Sequence, residues 1–413
     1  MNKYQRIAMS FWDKYPITEF MTGREIDYLS ATIKDNASIS VAIVGFGELN
    51  REIFLTSVAN NQLLAKEGDA FAEKPINYWL YAYKEAKGEL DDSYGRYSNA
   101  ILDASEYLPL PPKPANETFL MLDIGSTSFY QSLMENLTRG KVYNYIIINF
   151  GTDEENANLA NILATKLQEW DVDKHTKVFV RILGERQALA KGIIAFGSDN
   201  ESQTAGDRIA AMALDRHLSY SLSGSIDDEQ NKREMALKKW AEQDVVQQES
   251  NLYACLGIRL KLHLLGFDYR PKYDLSRNAE EEFAAAYEKG DKIIVSAISS
   301  DGRKTIQYTT NYVKGSVRQA LAIQEHQRWN AYMINCGFIP SSIAQIAAND
   351  SKNMREKRHG NITTFQGLVE FSKIMAKINH KSPEDTDVIK YDYQVMDDVV
   401  WLLSRIGYKI IKR

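Results

Sequence analysis

A chain of 413 residues with 44% hydrophobic and 25% charged residues has the make-up of a folded protein of about two to three domains. Its formal net charge of −5 excludes a generic nucleic-acid-coating surface, so no nucleic-acid partner is expected. Two cysteines, Cys255 and Cys336, make no disulfide framework; with no apolar run of about 18–20 residues and no signal-peptide core, a cytoplasmic location is expected.

Residues 1–37 read as a helical lead-in, with Ile26, Leu29 and Ile33 of "IDYLSATIKDN" at helical spacing. In 38–205, apolar runs alternate with helical patterns. "SISVAIVGF" is a first strand, and "NREIFLTSVANNQLLA" follows with Ile53, Leu55, Val58 and Leu63 on one helix face. "INYWLYAY", "TFLMLDIG", "YNYIIINFG", "TKVFVRIL" and "GIIAFG" supply five more strands, and "NANLANILATKLQEW" is the helix after the fourth. Pro109, Pro111, Pro112 and Pro114 mark a surface loop before the third strand. This cadence predicts an α/β fold with a Rossmann-like parallel sheet covered on both faces.

Residues 206–315 read as a helical connector with a β-hairpin. "AGDRIAAMALDRHLSYSLSG" and "NKREMALKKWAEQD" are helices, and "QQESNLYACLGIRLKLHLLGF" is expected to be one more, closed by Gly266. "DKIIVSAISSDGRKTIQYTT" is the hairpin, turning at Asp301-Gly302. Residues 316–413 form a small, mostly α segment.

Two stretches look chemical. In "VAIVGFGELNREIF", Gly45, Phe46 and Gly47 link a strand to a helix, where bared backbone N–H groups can cradle a phosphate. Asn50 stands where the third glycine of G-x-G-x-x-G is usual; its amide can donate to a phosphate or cap the turn. Glu85, near the end of the second strand, is the candidate acceptor for a ribose hydroxyl, and Gly151 and Thr152 after the fourth strand face the same crevice. The competing reading is a plain tight turn. In "LAIQEHQRWNAYMINCGF", His326, Trp329 and Met333 fall along one helix face with Asn330 beside them, offering a hydrogen-bonding edge and a stacking plate. Arg358, His359 and Asn361 in "MREKRHGNITTF" add a cationic fork beside a glycine turn, and Tyr391 joins them from "KYDYQVMDDVVWLL". The bland alternatives are a core tryptophan, a structural histidine and a solvated loop.

Residues 40–200, through "VAIVGFGELNREI" and "YNYIIINFGTDEENANLANILATKL", resemble the TrkA-N (RCK-like) NAD-binding domains of potassium transport. Residues 316–413, through "EHQRW", "CGF", "KRHGNITTFQGL", "KYDYQVMDDVVWLL" and "IGYKI", resemble the ryanodine-receptor repeat (RyR) domain, which often follows a TrkA-N-like domain in bacterial chains. The segment between them, "WAEQDVVQQESNLYACLGIRLKLHLLGF", is similar to the connector of such fusions. One departure is "KRHGN" where relatives often carry His-Pro. The resemblance implies NAD or another adenine nucleotide as cofactor and a soluble sensor of nucleotide-derived ligands in signalling or antiviral defence. It also implies a homo-oligomer acting on an effector or membrane partner. The alternatives are a regulatory subunit of a potassium channel or transporter, an NAD-dependent enzyme, and a pure scaffold that retains no small molecule. No hydride-transfer apparatus, P-loop, G-x-S-x-G or zinc-ligand cluster is present, so no catalytic residue or metal ligand is assigned and the reading leans away from an enzyme.

Overall fold

The computed structural model describes residues 2–82, 97–138, 143–172, 174–184, 187–221, 229–309 and 312–413. Six strands form the main sheet: β1 (Ser40–Val44), β2 (Asn77–Ala82), β3 (Asn116–Met121), β4 (Tyr145–Ile148), β5 (Lys177–Arg181) and β6 (Ile193–Phe196). Each matches one of the apolar runs read from the sequence. Their spatial order is β3-β2-β1-β4-β5-β6 and every neighbouring pair is parallel. That is the order of a doubly wound, Rossmann-like sheet, which reverses direction between β1 and β4.

All five residues of β1 are buried, as expected for a strand covered on both faces. The two-residue period divides it between two cores. Val41 and Ile43 join a core with Tyr145, Ile147 and Phe179, while Ala42 and Val44 join another with Ile146, Ile148 and Val180. The second core is closed by Phe129 and Leu133 of the Thr127–Thr138 helix and by Leu159, Leu163 and Leu167 of the Asp153–Glu169 helix. The first is far larger. It runs through Trp12 of the Lys3–Lys14 helix and Ile53 of the Glu48–Asn60 helix into Leu260 of the connector and Leu402 near the C-terminus.

Three local readings are corrected. Ile26, Leu29 and Ile33 do not share a helix: Ile26–Asp27 and Thr32–Ile33 pair antiparallel, and the lead-in helix is Lys3–Lys14. The Asp27 carboxylate accepts from the Leu29 N–H and the Ser30 hydroxyl, which stabilises a turn in preference to a helix and leaves Leu29 75% exposed. Leu63 belongs to no helix, because Glu48–Asn60 ends first and Leu64–Glu67 pairs antiparallel with Ala70–Glu73. The expected single helix before Gly266 is two, Val245–Leu256 and Ile258–Leu264, separated at Gly257. A Cβ at Gly257 would lie 3.0 Å from the Lys261 amine, so the redirected chain packs around a buried lysine.

The hairpin forms as read, Val295–Ile298 against Lys304–Ile306. The closing "YKI" lies within a strand, Tyr408–Lys412, which pairs antiparallel with Phe267–Pro271 and ties the end of the chain to the connector. The proline-rich loop also reaches the C-terminal segment: the Pro109 carbonyl accepts from the Thr363 hydroxyl and the Thr364 N–H. Among the described residues no helix is long and apolar enough to cross a membrane.

Candidate functional site

The reversal of strand order sets β1 and β4 side by side, and their carboxyl ends frame the crevice in which such sheets bind ligands. Gly45 has φ +86°, and a Cβ there would lie 2.2 Å from the Asn149 carbonyl oxygen. Glycine alone lets these two turns approach so closely. Phe46 turns away from the crevice into the core, edge-on to Phe54 and Phe119. Gly47 begins the Glu48–Asn60 helix with no side-chain cap and open space around it. First-turn N–H groups of such a helix lack intrahelical acceptors and attract anions, although Glu48 brings its own negative charge to that turn.

Asn50 takes the turn-closing role of the two open to it. It is fully buried, and its amide nitrogen donates to the carbonyls of Val44 (3.0 Å), Gly45 (2.9 Å) and Asn149 (3.2 Å). No hydrogen of that amide is left for a phosphate. The turn after β4 is closed in the same manner. The Asn156 side-chain oxygen accepts from the N–H groups of Phe150 (3.0 Å) and Gly151 (3.3 Å). Thr152 forms a capping box with Glu155, whose carboxylate takes the Thr152 N–H at 2.8 Å. Those bonds hold the Glu155 carboxyl below its ordinary range, and the helix supplies its own anion. Glu85 lies outside the described residues.

The other predicted cluster surrounds a real void. A cavity of about 500 Å3 opens between the Val245–Leu256 helix and the C-terminal segment. Its lining includes His326, Trp329, His359, Asn361 and Tyr391. The Ser316-capped helix Val317–Asn335 presents His326, Trp329 and Met333 to it, as their helical spacing predicts. The His326 and Trp329 rings lie nearly parallel at 6.0 Å, and His359 meets Trp329 edge-on at 5.1 Å.

Two predicted residues stand outside the lining. Asn330 donates to the Thr363 carbonyl at 2.8 Å and supports the wall from behind. Arg358 is divided between Asp350 and Glu356, both at 2.8 Å, and braces its own loop.

Hydrogen bonds fix the tautomers. His326 Nε2 lies 2.8 Å from the Thr363 carbonyl and must donate to it, so the 3.3 Å contact between His326 Nδ1 and Asp392 holds a single proton. Burial raises the Asp392 carboxyl, and His326 opposes that shift. His359 Nδ1 accepts the Asn361 N–H at 3.1 Å, which leaves the proton on Nε2. Burial first, then Lys352, pushes His359 far below the usual histidine range, so this ring is a neutral donor.

No family model, curated protein or solved structure matches this chain.

Behind the predicted residues lies a charge cluster that the sequence reading passed over. Glu325 accepts from Lys261 Nζ at 2.9 Å and from Arg328 Nε at 3.0 Å, and all three side chains are 2% exposed. Burial alone would raise the Glu325 carboxyl; Arg328, Lys261 and Arg216 outweigh it and hold it at about 2. Arg216 donates to Asn251 at 2.7 Å. Arg328 Nη1 is buried without a hydrogen-bond partner, and Arg328 lines the cavity. Two signals could have found this cluster. Lys261 is a charge inside the apolar run "LGIRLKLHLLGF", and Glu325 and Arg328 sit three residues apart in the quoted "EHQRW". Among the described residues no group of three or more His, Cys, Asp and Glu side chains is placed to hold a metal.

Proposed function

We propose that this chain is a ligand-binding regulator that takes a flat, nucleotide-derived small molecule in the cavity between its connector and its C-terminal segment. One observation carries the reading. Ring surfaces from Trp329, His326 and His359 and a hydrogen-bonding amide from Asn361 converge on one void of about 500 Å3, a size suited to a small molecule. Stacking between such rings supplies area, and the fixed tautomer of His359 supplies a directed donor. The sheet order supports the TrkA-N-like reading of residues 38–205, and the helical segment after Ser316 accords with an RyR-like one. A bound molecule would contact the connector and the C-terminal segment together, and its differential affinity for two arrangements of these parts would be the signal.

A second reading, NAD or another adenine nucleotide at the β1 turn, is favoured by the uncapped helix at Gly47. It would place this chain among regulators of a transporter or of a defence effector. Mass spectrometry of small molecules released from the purified protein tests the main reading. A nucleotide-like species is expected from the native chain and is lost in Trp329→Phe. Retention of the same species by Trp329→Phe and its loss in Gly47→Val would transfer the site to the sheet.

A further inference from the structure

Three cationic side chains, Arg216, Arg328 and Lys352, line the cavity together with the carboxylates of Glu325 and Asp392. Glu325 is the carboxylate at the centre of the cluster, and Lys261, Arg328 and Arg216 all act on it. The other two acids nearby face the cluster less directly: Asp392, also in the lining, lies against His326 with Arg328 nearby, and Asp398 bonds Ser219 with Arg216 nearby. Arg328 is the decisive group. Its Nε and Nη2 are directed to Glu325, at 3.0 and 2.9 Å, while its buried Nη1 has no acceptor. An unpaired buried guanidinium N–H is costly, and the planar fork of arginine matches the oxygens of a phosphate. Arg216 and Lys352 line the same cavity, and so does Trp329.

Resting on the cavity reading above, we propose that this wall is a phosphate subsite. Arg328 Nη1 donates to the phosphate of the ligand, Arg216 and Lys352 add countercharge, and the ligand's ring lies against Trp329. The ligand class is then a phosphorylated heterocycle, and the bare nucleoside or base is a poor substitute.

Calorimetric and fluorescence titrations with AMP, adenosine and inorganic pyrophosphate test this, with Trp329→Phe identifying the signal that arises in the cavity. AMP is expected to bind at least about tenfold tighter than adenosine, and pyrophosphate to compete with AMP. Arg328→Lys keeps a charge beside Glu325 but removes the fork, so it should erase the preference for AMP and leave adenosine unchanged. Arg216→Gln, at a less central position, should weaken AMP alone and serves if Arg328→Lys does not fold. Equal affinity for AMP and adenosine overturns the phosphate subsite and leaves the cavity reading standing. If none of the three probes perturbs Trp329, the subsite and the cavity reading fall together.

Discussion

The turn after β1 and the cavity beside Trp329 both read as ligand sites in the sequence, yet they use their polar groups in opposite ways. At the turn, Asn50 gives its amide to three carbonyls, and after β4 Asn156 and Glu155 satisfy three successive N–H groups. Those asparagines and that glutamate make the fold close. The Asn50 side-chain oxygen is left without a partner there, but at the cavity the unmatched atoms include a charged donor, Arg328 Nη1, beside the Asn361 side-chain oxygen. A buried charged donor without an acceptor is costlier than an unmatched amide oxygen, so Arg328 carries more functional information than the glycine pattern does.

Substitutions can break or sharpen this contrast. The largest effect is expected at Gly45→Val. A Cβ there meets the Asn149 carbonyl at 2.2 Å in a left-handed backbone, so urea denaturation should show a loss of more than about 3 kcal/mol, or no folded protein. Glu325→Gln comes next, leaving Lys261 and Arg328 buried without their counter-charge, at a cost of about 3–5 kcal/mol in the same assay. Asn50→Ala strips three carbonyls of a donor and should cost about 2–3 kcal/mol, with no dependence on added nucleotide. If nucleotide rescued Asn50→Ala, the turn would be a ligand site rather than a structural one.

A pH effect of intermediate size is expected at His263, which is wholly buried. It faces Thr18, Asp268 and Glu19, with Arg259 and Arg413 nearby, and burial lowers it to about 4. The folded chain keeps His263 neutral where the unfolded chain takes up a proton, so stability falls as pH drops below the unfolded value of about 6.5. By pH 5 the difference is about 2 kcal/mol. It should be smaller in His263→Gln than in the native chain when denaturation at pH 7 and pH 5 is compared. The smallest effect is Gly47→Ala. With open space around it and φ −77°, stability should change by less than about 0.5 kcal/mol.

The sheet was legible because its information is local. Each strand is a short apolar run, and "GFG" after β1 requires glycine for a contact that the sheet order then supplies. Ile26 to Ile33 misled because three apolar residues at helical spacing say nothing of Asp27, whose side chain folds the segment into a turn. One wall of the cavity was legible for a similar reason, since His326, Trp329 and Met333 share a helix face. The opposite wall was not. Arg216, Gln247 and Asn251 come from helices more distant in sequence, brought there by the core that joins connector and C-terminal segment. Lys261 was hidden too, because a lysine among leucines looks like a solvated position until Glu325 is seen beside it.

The most direct test of the account is the crystal structure of the purified chain soaked with AMP. It predicts a ring against Trp329 and a phosphate on Arg328, with the amides after Gly47 making no contact to the nucleotide. Nucleotide seated along the Gly45–Gly47 turn, with the cavity beside Trp329 holding none of it, would contradict the account.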